Sequence, residues 1–170
     1  MKKVQLYPFI IDIEASSLSE DSYPIEIGWN DGNGNIDSFL INPDSVAGWT
    51  DWSSDSEKIH KISRDVLIEK GVDPQYICEK LESNFRNQTF YSDAPDWDLK
   101  WIDRLYSVSE YEAPSFKIVN FRRLNCIALF EAKKFRRVTM KIRHKFPKRH
   151  RAFNDVQFLL EVYKECWKKA

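Results

Sequence analysis

The chain reads as an α/β protein: a mixed sheet whose first three strands run antiparallel, flanked by helices. Three observations lead there. The first 41 residues carry three short apolar runs separated by turn signals. Residues from Ser63 onward then alternate helical and strand-like patterns, and the C-terminal 20 residues hold a long amphipathic stretch.

Taken in order, Val4 to Asp12 has the apolar density of a first strand. Pro24-Ile25-Glu26-Ile27-Gly28-Trp29 begins a second, and Asp31-Gly32-Asn33-Gly34-Asn35 is a turn into a third, Ile36 to Ile41, closed by Asn42-Pro43. Together these form a meander. Trp49 to Ser56 is read as a loop. Ser63 can cap a helix that runs to about Lys70 and ends at Gly71, and Asp73-Pro74 opens another that runs to about Phe85. Gln88 to Ser92 is strand-like, a helix follows from about Asp96 to Tyr106, and Phe116 to Val119 makes a further short strand. Between 107 and 149 basic residues blur the period. The last helix, from about Arg151 to Lys168, places Phe153, Val156, Leu159, Leu160, Tyr163 and Trp167 on one face. Neither a repeat nor a linker interrupts residues 1–170, so a single domain is expected.

Composition excludes several classes. With 42% hydrophobic and 14% aromatic residues, the 170-residue chain can build one real core. No apolar run approaches the ~20 residues that span a bilayer. Asp12 and Glu14 break the short apolar stretch after Lys2-Lys3, and no small-residue cleavage site follows, which argues against a signal peptide. Cys78, Cys126 and Cys166 are odd in number and in no metal-ligand spacing, as in a reduced cytoplasmic protein whose cysteines pack as small hydrophobes.

The zero net charge conceals a division. Residues 1–116 hold 22 acidic and 10 basic side chains, whereas residues 117–170 hold 4 acidic and 16 basic. From Lys117 to Arg151 there are 13 Lys or Arg and one acid, Glu131, with Phe121, Phe130, Phe135 and Phe146 interleaved. A charge run is commonly a solvated face. Aromatic interleaving makes this one suited to a polyanion, because Lys and Arg displace condensed counterions along phosphates.

Chemistry is signalled first at Phe9-Ile10-Ile11-Asp12-Ile13-Glu14. Strand side chains alternate, so Asp12 and Glu14 share one face while Phe9, Ile11 and Ile13 enter a core on the other. Two like charges in an apolar strand repel and resist desolvation, and a divalent cation with oxygen ligands resolves both problems. A bland alternative is that one of them meets an Arg or caps a turn. Two later stretches fit the first reading: Phe90-Tyr91-Ser92-Asp93-Ala94-Pro95-Asp96-Trp97-Asp98, and His150-Arg151-Ala152-Phe153-Asn154-Asp155.

With these three motifs in this order, nearly the whole chain resembles the DEDDh 3′–5′ exonucleases, the family of ribonuclease T and the proofreading subunit of bacterial DNA polymerase III. The resemblance implies a ribonuclease H-like sheet. Asp12 and Glu14 match the family's Asp-x-Glu, followed here by Ala15-Ser16-Ser17-Leu18 where Thr-Thr-Gly-Leu is usual. Ser16 and Leu18 are thereby candidate contacts to the terminal nucleotide, and the missing Gly puts the loop's backbone in question. In the second motif Trp97-Asp98 matches the aromatic-Asp pair and points to Asp98, with Asp96 capping or charging the helix N-terminus. A slipped reading promotes Asp93 instead.

His150 precedes Asp155 by five residues, which on a helix turn through about 500° and share no face. His150 therefore belongs in the loop before the helix and Asp155 in its first turns, as a general base beside a metal ligand requires. The competing reading makes His150 one more phosphate contact in Lys148-Arg149-His150-Arg151. His144 has only Arg149 at its +5 position. His60, in Ile59-His60-Lys61-Ile62, resembles the family's His-Gly-Ile segment and is left out of catalysis.

The resemblance implies that Asp12, Glu14, Asp98 and Asp155 hold two Mg²⁺ or Mn²⁺ ions, one activating a water and one steadying the leaving 3′ oxygen. Imidazole, with an ordinary pKa of ~6.5, suits a general base near neutral pH. The expected substrate is single-stranded DNA or RNA with a free 3′ end, releasing nucleoside 5′-monophosphates, and the aromatic-rich surface would permit a homodimer. Two rivals share the fold: a binding module without catalysis, and an endonuclease or oligonucleotide-specific hydrolase using the same metal chemistry.

Overall fold

A computed structural model describes residues 7–146 and 150–169. The expected start of the first strand at Val4, and Pro147 to Arg149 of the basic run, lie outside the described residues. Five strands form one sheet: β1 (Phe9–Ala15), β2 (Pro24–Asn30), β3 (Ile36–Leu40), β4 (Thr89–Ser92) and β5 (Lys117–Asn120). Their order is β3-β2-β1-β4-β5, with β1 in the centre. Strands β1 to β3 pair antiparallel, and β4 runs parallel to both β1 and β5. The mixed sheet with an antiparallel start is the architecture expected from the sequence.

The helices are α1 (Ser54–His60), α2 (Arg64–Lys70), α3 (Pro74–Phe85), α4 (Pro95–Tyr106), α5 (Asn125–Ala128), α6 (Ala132–Arg143) and α7 (Ala152–Trp167). Ser63 caps α2 by accepting the Val66 amide, and Asp73 caps α3 by accepting that of Gln75. Gly71 ends α2 in an extended conformation: a Cβ there would lie 2.4 Å from the Leu67 carbonyl oxygen and 2.5 Å from the Asn42 nitrogen. Glycine is required by space at this point.

Three expectations change. The first strand begins at Phe9, after Tyr7 and Pro8, and runs past the expected end at Asp12 to Ala15, which keeps Glu14 in the sheet. The stretch read as a loop to Ser56 enters α1 at Ser54, because Ser53 accepts the Ser56 amide and Asp55 and Glu57 favour the helix N-terminus. Its polar composition conceals a capped helix. On α7, Phe153 and Trp167 are exposed, and Ala152, Phe158, Val162 and Cys166 take buried places beside Val156, Leu159 and Leu160. A helix lying across a sheet buries a wider stripe than a single-face reading allows.

The sheet separates two cores. Ile11, Ile13 and Ala15 pack with Ile77, Leu81 and Phe85 of α3 and with Trp101, Ile102 and Leu105 of α4. Ile10 faces the opposite core, built from α5, α6 and α7. β1 is thus covered on both sides, and the face that carries Asp12 and Glu14 is the one on which α7 lies. Cys78, Cys126 and Cys166 are buried, and burial pushes the thiols of Cys78 and Cys166 up to about 11, so they pack as small hydrophobes. Among the described residues no helix is long and apolar enough to cross a membrane.

Candidate active site

The carboxylate cluster lies on the part of β1 that runs on past the end of its parallel neighbour β4. In β1, Asp12 pairs across the strands with Gly28 and Glu14 with Glu26. Gly28 decides how closely α7 can approach: a Cβ there would lie 2.9 Å from the Ala152 carbonyl carbon. Without a side chain at this position, the first turn of α7 settles onto the sheet and carries Asp155 to the two β1 carboxylates. One oxygen from each of Asp12, Glu14 and Asp155 lies within 4.8 Å of the others.

Asp98 arrives from the first turn of α4 and is nearly fully buried. Its carboxylate accepts the Ser92 hydroxyl and the Ile13 amide, which fix it at the strand ends. Asp98 lines the same cleft as Asp12, Glu14 and Asp155 but stands outside their tight trio. Asp93 is at the exposed rim, and Asp96 is exposed in the first turn of α4, where it charges the N-terminus without capping it. Asp98 is buried beside the cluster, and Asp93 lines the same cleft at its exposed rim.

His150 occupies the loop before α7, as its spacing from Asp155 requires, and is exposed at the edge of the cleft. Its backbone is left-handed, with φ of 63°. That turn aims the His150 amide at Asp155 Oδ2, 2.6 Å away, and the Arg151 amide reaches the same oxygen at 3.3 Å. Asp155 thus ties the two residues that precede its own helix to its first turn with one oxygen.

A second device was not anticipated. Glu26, only 2% exposed, accepts Arg151 Nε and Nη2, each at 2.9 Å, and the Ala152 amide at 3.0 Å. The clamp ties β2 to the start of α7 and sets the loop that bears His150. Its sequence signal was a charge inside the apolar run of β2, but the partner lies 125 residues away.

The electrostatics express the crowding. Asp12 is held well above the usual carboxylate range by burial, then by the charges of Asp98, Glu14, Asp155 and Asp93. Burial pushes Glu14 up to about 8, reinforced by Asp155, Glu26 and Asp98 and opposed by Arg151. Burial also raises Asp98 to about 8, with the Ser92 and Ile13 hydrogen bonds opposing. Hard oxygen donors at this density suit a cation such as Mg²⁺ or Mn²⁺, and neither cysteine nor histidine joins the trio.

The loop after β1 departs from the sequence reading. Ser16 is fully buried: its hydroxyl donates to Asp51 Oδ2 at 2.9 Å and accepts the Tyr23 amide. It braces the loop and does not face the cleft. Ser17 and Ser19 also donate to Asp51, at 2.6 and 3.0 Å, so a residue outside the motif holds the loop where the family has a Gly. Asp51→Ala is expected to cost about 1–3 kcal/mol, read as a lower thermal midpoint together with faster proteolysis between β1 and β2. An unchanged midpoint would mean that the three serines hold the loop without it. Leu18, by contrast, is 67% exposed and lines the cleft, as does Trp97, which stacks on Trp101 with centroids 5.5 Å apart. Trp97 entered the sequence reading only as the aromatic neighbour of Asp98, and the structure gives it a surface of its own. The cleft has a volume of about 280 Å³.

His60 is buried, edge-on to Trp52, and its Nδ1 accepts the Ile62 amide at 3.1 Å. Burial draws it down to about 4, so it is a neutral packing residue at physiological pH.

No protein-family model and no curated protein matches the chain. Solved structures do. Escherichia coli exonuclease I in complex with a dA16 oligonucleotide superposes with a TM-score of 0.71 at 12% identity, covering 97% of this chain and 41% of that one. The same enzyme with a dT13 oligonucleotide gives 0.68 at 11% identity, with 98% and 41% covered. A 3′-exonuclease described for 3′-end recognition of the histone mRNA stem-loop gives 0.67 at 16% identity, with 99% and 84% covered. The chain spans about two fifths of the exonuclease I structures it matches. The shared property is the fold, a mixed sheet flanked by helices.

Proposed function

We propose that residues 1–170 form a metal-dependent 3′–5′ exonuclease unit acting on single-stranded nucleic acid. The observation that carries this reading is the convergence of Asp12, Glu14 and Asp155 within 4.8 Å, in a cleft that also holds Asp98 and His150. The fold shared with exonuclease I, seen with oligonucleotides, and with a 3′-exonuclease supports it.

Asp12, Glu14 and Asp155, with Asp98 beside them, would hold two divalent cations. When bound, these would supply a nucleophilic water and neutralise charge at the leaving oxygen. The chain's own residues do the rest. His150, exposed at the cleft edge, takes the proton of the attacking water. Leu18 and Trp97 offer apolar faces to the terminal base, and stacking of this kind is worth about 1–3 kcal/mol. Asp155 and the Glu26–Arg151 clamp hold the His150 loop in register with the carboxylates. The products are nucleoside 5′-monophosphates.

The test is hydrolysis of 5′-labelled single-stranded DNA and RNA of one sequence, with Mn²⁺ and with EDTA. A ladder shortening from the 3′ end and abolished by EDTA is expected, and the faster strand names the substrate. His150→Ala should lower kcat at least about a hundredfold with little change in KM. Cleavage of a 3′-blocked strand would replace the reading by an endonuclease. Binding of both strands without cleavage of either would replace it by a binding module.

A further inference from the structure

The basic half of the chain builds a second feature that the catalytic cleft does not use. Between α5, α6 and the end of α7 lies a groove of about 580 Å³. Leu129, Phe130 and Val138 form its apolar wall, with Leu129 80% exposed, and Lys134, Arg137 and Lys141 stand along it. Glu165 accepts Lys141 at 3.4 Å and Lys169 at 2.8 Å. Lys134 and Arg137 meet no acid among the described residues. The groove therefore keeps an excess of positive charge beside an exposed apolar surface.

Its position relative to the cleft follows from α7. Asp155 is in the first turn of that helix, whereas Lys169 follows its last. At 1.5 Å per residue the two ends are roughly 20 Å apart. The chain returns between them: the Lys141–Glu165 pair puts α6 near the far end, and Phe146 packs against Phe158, one turn beyond Asp155. Arg143, His144 and Lys145, all exposed, lie on that return path.

We infer that this groove is an accessory strand-binding site, holding the phosphates and an unstacked base of the same nucleic-acid strand upstream of its 3′ end. The inference takes the strand's polarity from the exonuclease reading, but the binding it describes does not depend on cleavage. Charge complementarity selects a polyanion. The apolar wall of Leu129 and Phe130 suits a base face, which a single strand presents and a duplex backbone does not. With one phosphate per about 3.4 Å of a stacked strand and a wider spacing where bases unstack, the span corresponds to at most about six nucleotides. Strands shorter than this occupy the cleft alone.

The experiment measures anisotropy of labelled single strands in EDTA, so that nothing is cut, for a trinucleotide and for a strand of about 16 nucleotides. Lys134→Ala/Arg137→Ala is compared with the wild type and with the charge-preserving Lys134→Arg/Arg137→Lys. The alanine pair should weaken the long strand roughly tenfold and reduce the salt slope of log K by about 1.4, leaving the trinucleotide unchanged. The charge-preserving pair should bind like the wild type, and unchanged circular dichroism excludes unfolding. Equal loss for both lengths, no loss for either, or absence of long-strand binding by the wild type would overturn the inference. So would a change of oligomeric state in the alanine pair, since the groove would then serve a second copy. Intact length-dependent binding by a protein that cuts nothing would overturn the exonuclease reading and leave this one standing.

Discussion

Asp12→Asn is expected to have two opposite effects: a loss of hydrolysis of roughly 10⁴-fold and a gain in stability of the metal-free protein. Asp12 is the carboxylate on which the charges of Asp98, Glu14, Asp155 and Asp93 all act, and partial burial limits their screening by water. In the absence of metal this arrangement opposes folding. Asn keeps the shape and removes one charge, so stability at pH 8 should rise on the order of 1–2 kcal/mol, a few degrees in Tm. The pH dependence gives a second reading. Glu14 and Asp98 have folded pKa values of about 8, far above their ordinary 4.5 and 3.8. Between about pH 4 and pH 8 the folded protein keeps protons that the unfolded chain has released, so stability falls as pH rises through this window and levels off above it. Thermal melts in EDTA should therefore show a higher midpoint at pH 5 than at pH 8. Mn²⁺ should raise the midpoint most at pH 8, where the carboxylates are ready to ionise. The Asn variant should show a shallower slope and a smaller Mn²⁺ response. If the metal-free wild type were more stable at pH 8 than at pH 5, the carboxylates would not be crowded as described.

What could be read from the sequence divides along one physical line. Features set by local periodicity were legible: the alternation that puts Asp12 and Glu14 on one face, the caps at Ser63 and Asp73, and the spacing that keeps His150 off α7. Features set by contacts between distant segments were not. The sequence marks Glu26 and Gly28 as exceptions in an apolar strand, but nothing local says that Arg151 and Ala152 fill the space above them. The same holds for Asp51, which reaches three serines more than 30 residues away. Ser16 illustrates the hazard of transferring a role by position. Its hydroxyl is the right type at the right spacing, yet the fold spends both of its hydrogen bonds on the loop. Helix α1 was missed for a different reason, since a short polar helix fixed by its cap has no apolar period to detect.

Glu26→Ala should damage both the fold and the metal site, although Glu26 lies outside the carboxylate cluster. It removes three hydrogen bonds from the start of α7 and leaves the Arg151 guanidinium without its partner. Removing one member of a buried pair typically costs about 3–5 kcal/mol, and the lower end applies because 41% of the Arg151 side chain still reaches solvent. A further consequence follows from register. Glu14 faces Glu26 directly across β1 and β2, and Arg151 already acts on both. Released from Glu26, the guanidinium can turn to Glu14 and compete with a cation for that carboxylate. The Mn²⁺ concentration for half-maximal hydrolysis should then rise by about tenfold, equivalent to about 1.4 kcal/mol, beyond any loss of kcat from a loosened His150 loop. Glu26→Gln separates the two effects, because the amide oxygen can still accept the Ala152 amide while the charge is gone. It should recover part of the lost stability and little of the metal affinity. If Glu26→Ala lowered the thermal midpoint but left the Mn²⁺ requirement unchanged, the clamp would be a brace for α7 alone, and Arg151 would have no influence on the occupancy of the carboxylate cluster.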